Sequence, residues 1–221
     1  EETTVSETTT VETTTVETTV ETTTVETTTA ETSVQTTATA EPEENFITIK
    51  GKEYSTKLTE LEIYWQELTN DDVKQISKLT NLTYLSLTEA KISDISSLSK
   101  LTNLTYLDLN GNQINDISPI SQLTNLTILR LDSNQISDLS PISGLINLET
   151  LSLQNNQISN VSPLSGLTNL KFVHLNVNQI CDVNSLLVMK NLDLLDLDIN
   201  NINPADISEL RDALPNCTIF G

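Results

Sequence analysis

The sequence predicts an α/β solenoid: a right-handed array of stacked 22-residue units, a parallel sheet on its concave side and short 3₁₀ or irregular turns on its convex side. Three observations predict it. First, one apolar pattern recurs at a fixed spacing. Leu104, Leu107, Leu109, Asn112, Ile114, Ile117, Pro119, Ile120 and Leu123 return 22 residues later as the series Leu126 to Leu145, and again as Leu148 to Leu167. Second, the stretch Tyr106-Leu107-Asp108-Leu109-Asn110 alternates with the period of a half-buried strand. Third, a proline stands in the return segment of three units, at Pro119, Pro141 and Pro163, where it interrupts a regular hydrogen-bond ladder and favours a short turn.

The spelling of the unit is L-x-x-L-x-L-x-x-N-x-I, that of a leucine-rich repeat. Its parts have separate jobs. Leu107 and Leu109 point into the stack, while Tyr106, Asp108 and Asn110 point outward. Asn112 stands where the chain leaves the strand, and its amide is suited to backbone groups that the turn strands. Stacking makes these residues a structural ladder of Asn112, Asn134, Asn156, Asn178 and Asn200. Seven apolar side chains cannot repay the entropy of 22 ordered residues, so the array must fold as a unit.

The elements follow in order. Residues 1–45 hold 20 threonines among the first 40 positions, with 11 acidic and no basic residues. That composition cannot bury a core, so it is expected to be a disordered acidic stalk, about 40 Å long as a flexible chain. Residues 46–221 are expected to form one repeat domain. Within it, 46–57 (Phe46, Ile47, Ile49, then Lys50-Gly51, then Tyr54) reads as a hairpin capping the bare edge of the first rung. Seven repeats span 58–214, opening at Leu58, Leu82, Leu104, Leu126, Leu148, Leu170 and Leu192. In the first, Gln66 replaces the ladder asparagine and Asp71 to Ile76 reads as a capped helical turn. The second has Ala90 at the ladder slot. The seventh carries a helix from Asn203-Pro204 to Leu214. Residues 215–221, with Cys217, Ile219 and Phe220, are expected to make a partial closing rung.

Charge limits the partners. Of the net −20, residues 1–45 carry −11 and residues 46–221 carry −9, from 20 acidic and 11 basic residues. Nucleic acid needs clustered Lys or Arg against phosphate, so none is expected as partner. Adsorption to an anionic membrane surface is disfavoured for the same reason. No apolar run reaches the roughly 20 residues of a membrane span. A chain opening at Glu1 is expected to be a processed product, with a signal or anchor lost upstream. Cys181 and Cys217 fall two rungs apart, too far for a disulfide, and are expected to be free thiols, Cys217 filling a core slot.

The stretches LTNLTYLDLNGNQINDISPISQ and LSLQNNQISNVSPLSGLTNLK, from Leu101 and Leu151, resemble the 22-residue repeats of the bacterial internalin-type leucine-rich repeat proteins. The resemblance covers about residues 58–214 and lies in the repeat length and the D/N-[IV]-S-P-[IL] return turn. It implies a secreted or surface-exposed bacterial protein that binds another protein by its concave face. An intracellular regulatory scaffold built on similar 22-residue units is the alternative.

No catalytic, cofactor or metal signature occurs: there is no phosphate-cradling glycine loop, metal-spaced Cys/His pair or nucleophile elbow. Ser152, His174 and Asp196 share one outward slot on successive rungs and supply the ingredients of a triad, but an open strand face offers no oxyanion donors. An enzyme is therefore not expected. Asp193, Asp196 and Asp198, with Asp132 and Asp108, are expected to be solvated surface rather than a calcium site. Asn81, Asn103 and Asn125 match glycosylation sequons only because the repeat recurs. The slot before each strand leucine is more informative. It reads Glu60, Tyr84, Tyr106, Ile128, Thr150, Phe172 and Leu194, five of seven apolar or aromatic on a face that should be open. With Tyr64 on the first rung, and Arg130 and His174 in the next column, these residues are expected to bind a protein ligand. No cofactor is implied, and the chain is expected to act as a monomer.

Overall fold

The computed structural model describes residues 45–221, so the expected stalk lies outside the described residues. The array begins with an antiparallel hairpin, β1 (Phe46–Ile49) against β2 (Lys52–Ser55), turned at Lys50-Gly51, both in the left-handed region with φ 49° and 77°. Ile47 and Ile49 face inward and cover the apolar edge of the first rung. The hairpin is pinned to the helix α1 (Asn70–Ile76), because Asp72 accepts from the Lys50 backbone N–H at 3.4 Å and pairs with its ammonium at 3.5 Å. The start of α1 is a reciprocal cap: the Asp72 N–H donates to Thr69 Oγ1 and the Thr69 N–H donates to Asp72 Oδ2.

Eight parallel strands follow in strict order: β3 (Glu60–Tyr64), β4 (Tyr84–Thr88), β5 (Tyr106–Asp108), β6 (Ile128–Arg130), β7 (Thr150–Ser152), β8 (Phe172–His174), β9 (Leu194–Asp196) and β10 (Thr218–Phe220). From β4 to β9 each pairs with the next in one unbroken register, so a residue and its counterpart 22 positions on are direct neighbours. The eighth strand, following the helix α2 (Pro204–Ala213), closes the sheet. Short 3₁₀ turns return the chain on five repeats, with proline in the first turn of three of them. Leucines and isoleucines between sheet and turns form one continuous core, most of them fully buried. Cys181 and Cys217 are both free; Cys217 is only half-buried, packed against the core rather than within it.

Asparagine ties the rungs together twice. Asn134 accepts from Ile114 N–H at 3.0 Å and donates to the carbonyls of Leu109 and Leu131, so one amide serves two rungs. Asn112, Asn156, Asn178 and Asn200 repeat the arrangement, each accepting from the residue 20 positions earlier. A second column, unforeseen in the sequence, runs on the far side of the strands. There Asn103, Asn125 and Asn147 donate to Thr80, Thr102 and Thr124 carbonyls, all at 2.9 Å, and Asn81, Asn169 and Asn191 follow suit. The sequon asparagines are thus structural. Asn147, Asn169 and Asn191 occupy the same slot without a sequon. The acidic residue of the D/N-[IV]-S-P motif serves the convex side. Asp116 and Asp138 accept from Ser118 and Ser140 N–H at 2.8 Å, capping the 3₁₀ turn two residues on.

Candidate functional site

The register builds the concave face column by column. Glu60, Tyr84, Tyr106, Ile128, Thr150, Phe172 and Leu194 lie side by side, and Glu62, Ser86, Asp108, Arg130, Ser152, His174 and Asp196 form the neighbouring column. The expected contact residues fall into two groups. Towards the N-terminal end Tyr84 and Tyr106 stack, ring centroids 4.2 Å apart and planes 9° from parallel, and the Arg130 guanidinium carbon lies 5.8 Å from the Tyr106 centroid. Tyr64 stands beyond them on the first rung, 45% exposed. Towards the C-terminal end Phe172, 41% exposed, pairs in register with the half-buried Leu194. Ile128 is half-buried between the groups. His174 and Arg130 line one shallow depression of about 220 Å³, together with Asp132, Thr150, Ser152 and Gln154.

The face is less open than the alternation implies, and an expectation changes with it. The tyrosine pair is not dispensable for packing. Both rings are half-buried, and burial raises both phenol pKa values, with a hydrogen bond to Glu62 adding to it at Tyr84 and the Asp108 charge at Tyr106. Asp108 is not solvated surface either, being only 6% exposed. Tyr106 and Arg130 flank it, and its carboxylate accepts from Asn110 N–H at 3.0 Å. Burial raises the Asp108 pKa against the lowering effect of that bond and of Arg130.

The triad ingredients are adjacent but differently engaged. Ser152 pairs in register with His174, and His174 with Asp196. The Ser152 hydroxyl nevertheless donates to Asp132 at 2.6 Å, and Asp132 also accepts from Gln154 N–H at 2.8 Å. Asp196 accepts from the N–H of Asp198 at 3.1 Å. Ser152 is therefore anchored to the preceding rung rather than to the imidazole. Among the described residues no group of three or more His, Cys, Asp or Glu could hold a metal ion.

The rim of the face carries a feature with little sequence signal. The residue before each ladder slot adopts a left-handed backbone: Trp65 at φ 55°, Glu89 at 53°, Gly111 at 67°, Ser133 at 54°, Asn155 at 54°, Val177 at 59° and Ile199 at 55°. Glycine or asparagine is what such a corner takes readily. At Gly111 a Cβ would lie 2.5 Å from the Glu89 carboxylate, so a larger residue there would displace that exposed side chain. Trp65 and Ile199 are the reverse case, bulky and 80% and 75% exposed.

A parallel sheet of equal rungs, roofed by 3₁₀ turns and stitched by asparagine, defines a leucine-rich repeat protein. Leucine-rich repeat family models match residues 56–114, 102–144 and 146–188. More particularly, the chain belongs to the internalin-type leucine-rich repeat proteins. It is 36% identical to internalin C2 of Listeria monocytogenes, at a TM-score of 0.68 over 74% of this chain and 71% of that one. It is 34% identical to an internalin (inlF) of the same organism, with a TM-score of 0.70 over 77% of this chain, and spans half of that protein. A leucine-rich repeat protein of Leptospira interrogans is also 34% identical, with a TM-score of 0.63 over 66% of this chain and 39% of its own. None of the curated proteins matches the sequence.

Proposed function

We propose that this leucine-rich repeat module is displayed on a bacterial surface or secreted on its Thr-rich stalk, and that it binds a protein ligand by its concave face. The observation that carries the reading is the column Tyr84, Tyr106, Ile128, Phe172 and Leu194. These are large side chains on five of six consecutive strands, broken only by Thr150, on the side away from the leucine core, and aromatic residues dominate interface energetics. Eight strands span about 34 Å, enough to offer the roughly 800 Å² per partner of an ordinary complex. Display outside the cell is supported by the likeness to internalins. No helix among the described residues is long and apolar enough to cross a membrane.

Site-specific photocrosslinking tests the face. A photoreactive residue at Thr150, on the concave column, should capture the ligand from a mixture of candidate proteins, and one at Gln122, on a convex turn, should not. Capture from Gln122 alone would move the binding face to the turns. Labelling of intact cells with an antibody to the repeats tests display; signal only after lysis would contradict it.

A further inference from the structure

The first two rungs carry chemistry beyond what folding requires. Trp65 occupies a left-handed corner at φ 55° while 80% exposed, so its indole incurs a steric cost without gaining burial. Beside it on β3, Glu60, Glu62 and Tyr64 alternate outward from the buried Leu61 and Ile63. Glu60 pairs in register with Tyr84, and Glu62 with Ser86, so both carboxylates stand on the strand next to the Tyr84 ring. The result is a line of aromatic and carboxylate residues along the first strands of the concave sheet, roughly 16 Å from Glu60 to Trp65.

That line of residues has no cation of its own. Each ion pair among the described residues lies off the strands, at Lys50–Asp72, Lys91–Glu67 and Lys171–Glu149. Arg130 is the single lysine or arginine in the eight strands, and it sits over Tyr106 on the fourth rung. On this surface, then, a cation has already settled against a tyrosine face.

We propose that Glu60, Glu62, Tyr64, Trp65 and Tyr84 line a strip for lysine or arginine side chains of the protein ligand, presented on a basic loop or extended segment. The proposal rests on the concave-face reading above and names the chemistry of what that face meets. An ammonium or guanidinium is attracted to the faces of tryptophan and tyrosine, and the two carboxylates neutralise it. The surrounding acidic field steers a basic partner in and repels an acidic one.

The single tryptophan makes the strip its own reporter. The full chain is titrated with a peptide alternating Lys and Ser, and with its counterparts alternating Glu and Ser or Gln and Ser. The Lys peptide is expected to shift Trp65 emission saturably and the Glu peptide to leave it unmoved. Glu60→Gln with Glu62→Gln should weaken the Lys response about fivefold or more, with unchanged circular dichroism. Neutralising Glu12, Glu17 and Glu21 in the acidic N-terminal segment should not alter it, which separates the strip from the charge of that segment. A Trp65 signal indifferent to the Lys peptide, or to the glutamine pair, overturns the proposal. If the Gln or Glu peptide moves Trp65 as strongly and Tyr84→Ser abolishes that response, the cation strip is wrong and the concave-face reading stands. If calorimetry finds a peptide bound with no dependence on Tyr84 or Trp65, both fall.

Discussion

The convex turns and the concave strands are built by the same repeat and obey different rules. On the convex side one solution recurs: Asp94, Asp116, Asp138, Asn160 and Asp182 each cap the N–H two residues ahead, at 2.8–3.0 Å. On the concave side, one geometric slot holds Glu60, Tyr84, Tyr106, Ile128, Thr150, Phe172 and Leu194. A slot that every rung fills alike is one that folding dictates. A slot that each rung fills differently, at the same backbone position and beside the same core column, is not dictated by folding and is available to recognition.

Substitutions can break or sharpen this contrast. The largest effect belongs to the shared interior. Leu131, fully buried, should cost about 2–5 kcal/mol as Leu131→Ala, read from denaturant midpoints. Next comes Asn134→Ala, which strands the Ile114 N–H and the carbonyls of Leu109 and Leu131 and should cost about 1–3 kcal/mol. A parent-like midpoint would show that the amide does not bear on rung stacking. On the variable face Tyr84→Ser removes a half-buried ring as well as its stacking on Tyr106 and should cost about 1–2 kcal/mol, less than the interior leucine. A loss as large as that of Leu131→Ala would place Tyr84 in the core and erase the contrast. Asn125→Ala removes one exposed bond, to the Thr102 carbonyl, and should cost about 0.5–1.5 kcal/mol.

The smallest effect has a size that depends on pH. The Asp108 pKa is raised in the folded state above its ordinary 3.8, chiefly by burial. Between those two values the folded protein holds a proton that the unfolded chain has released, so stability falls as pH rises through that window. Asp108→Asn keeps an acceptor for Asn110 N–H and removes the buried charge, so it should raise the melting temperature slightly at pH 7. The gain should vanish below about pH 4, where the parent carboxyl is protonated in both states. Asp138 behaves oppositely. Ser140 holds its pKa below the ordinary value, so the stability it contributes is present at neutral pH and lost as pH falls through that depressed pKa.

Much of the fold was legible because the repeat states its own register. Leu107, Leu129 and Leu151 align in the sheet as they align in the sequence, and Pro119, Pro141 and Pro163 mark the 3₁₀ turns. What escaped lay in three dimensions. The 4.2 Å stacking of Tyr84 on Tyr106 depends on ring rotamers that alternation does not encode. Asp108 lies in a polar column, and its burial comes from Tyr106 and Arg130 closing over it from neighbouring positions. The left-handed corner hides its signal, since only Gly111 and Asn155 are residues that advertise it. The second asparagine column was visible as a recurrence of Asn103, Asn125 and Asn147, but the sequon spelling drew attention away from the slot shared with Asn169 and Asn191.

The central claim, that the variable concave slot binds and the uniform convex turn does not, is tested most directly by two matched double variants against the captured ligand. Tyr84→Ser with Tyr106→Ser is predicted to weaken binding about fivefold or more for each residue that anchors the complex. Ser118→Ala with Ser140→Ala, on the convex turns, is predicted to leave the dissociation constant unchanged. Binding abolished by the convex pair and untouched by the tyrosine pair would contradict the account.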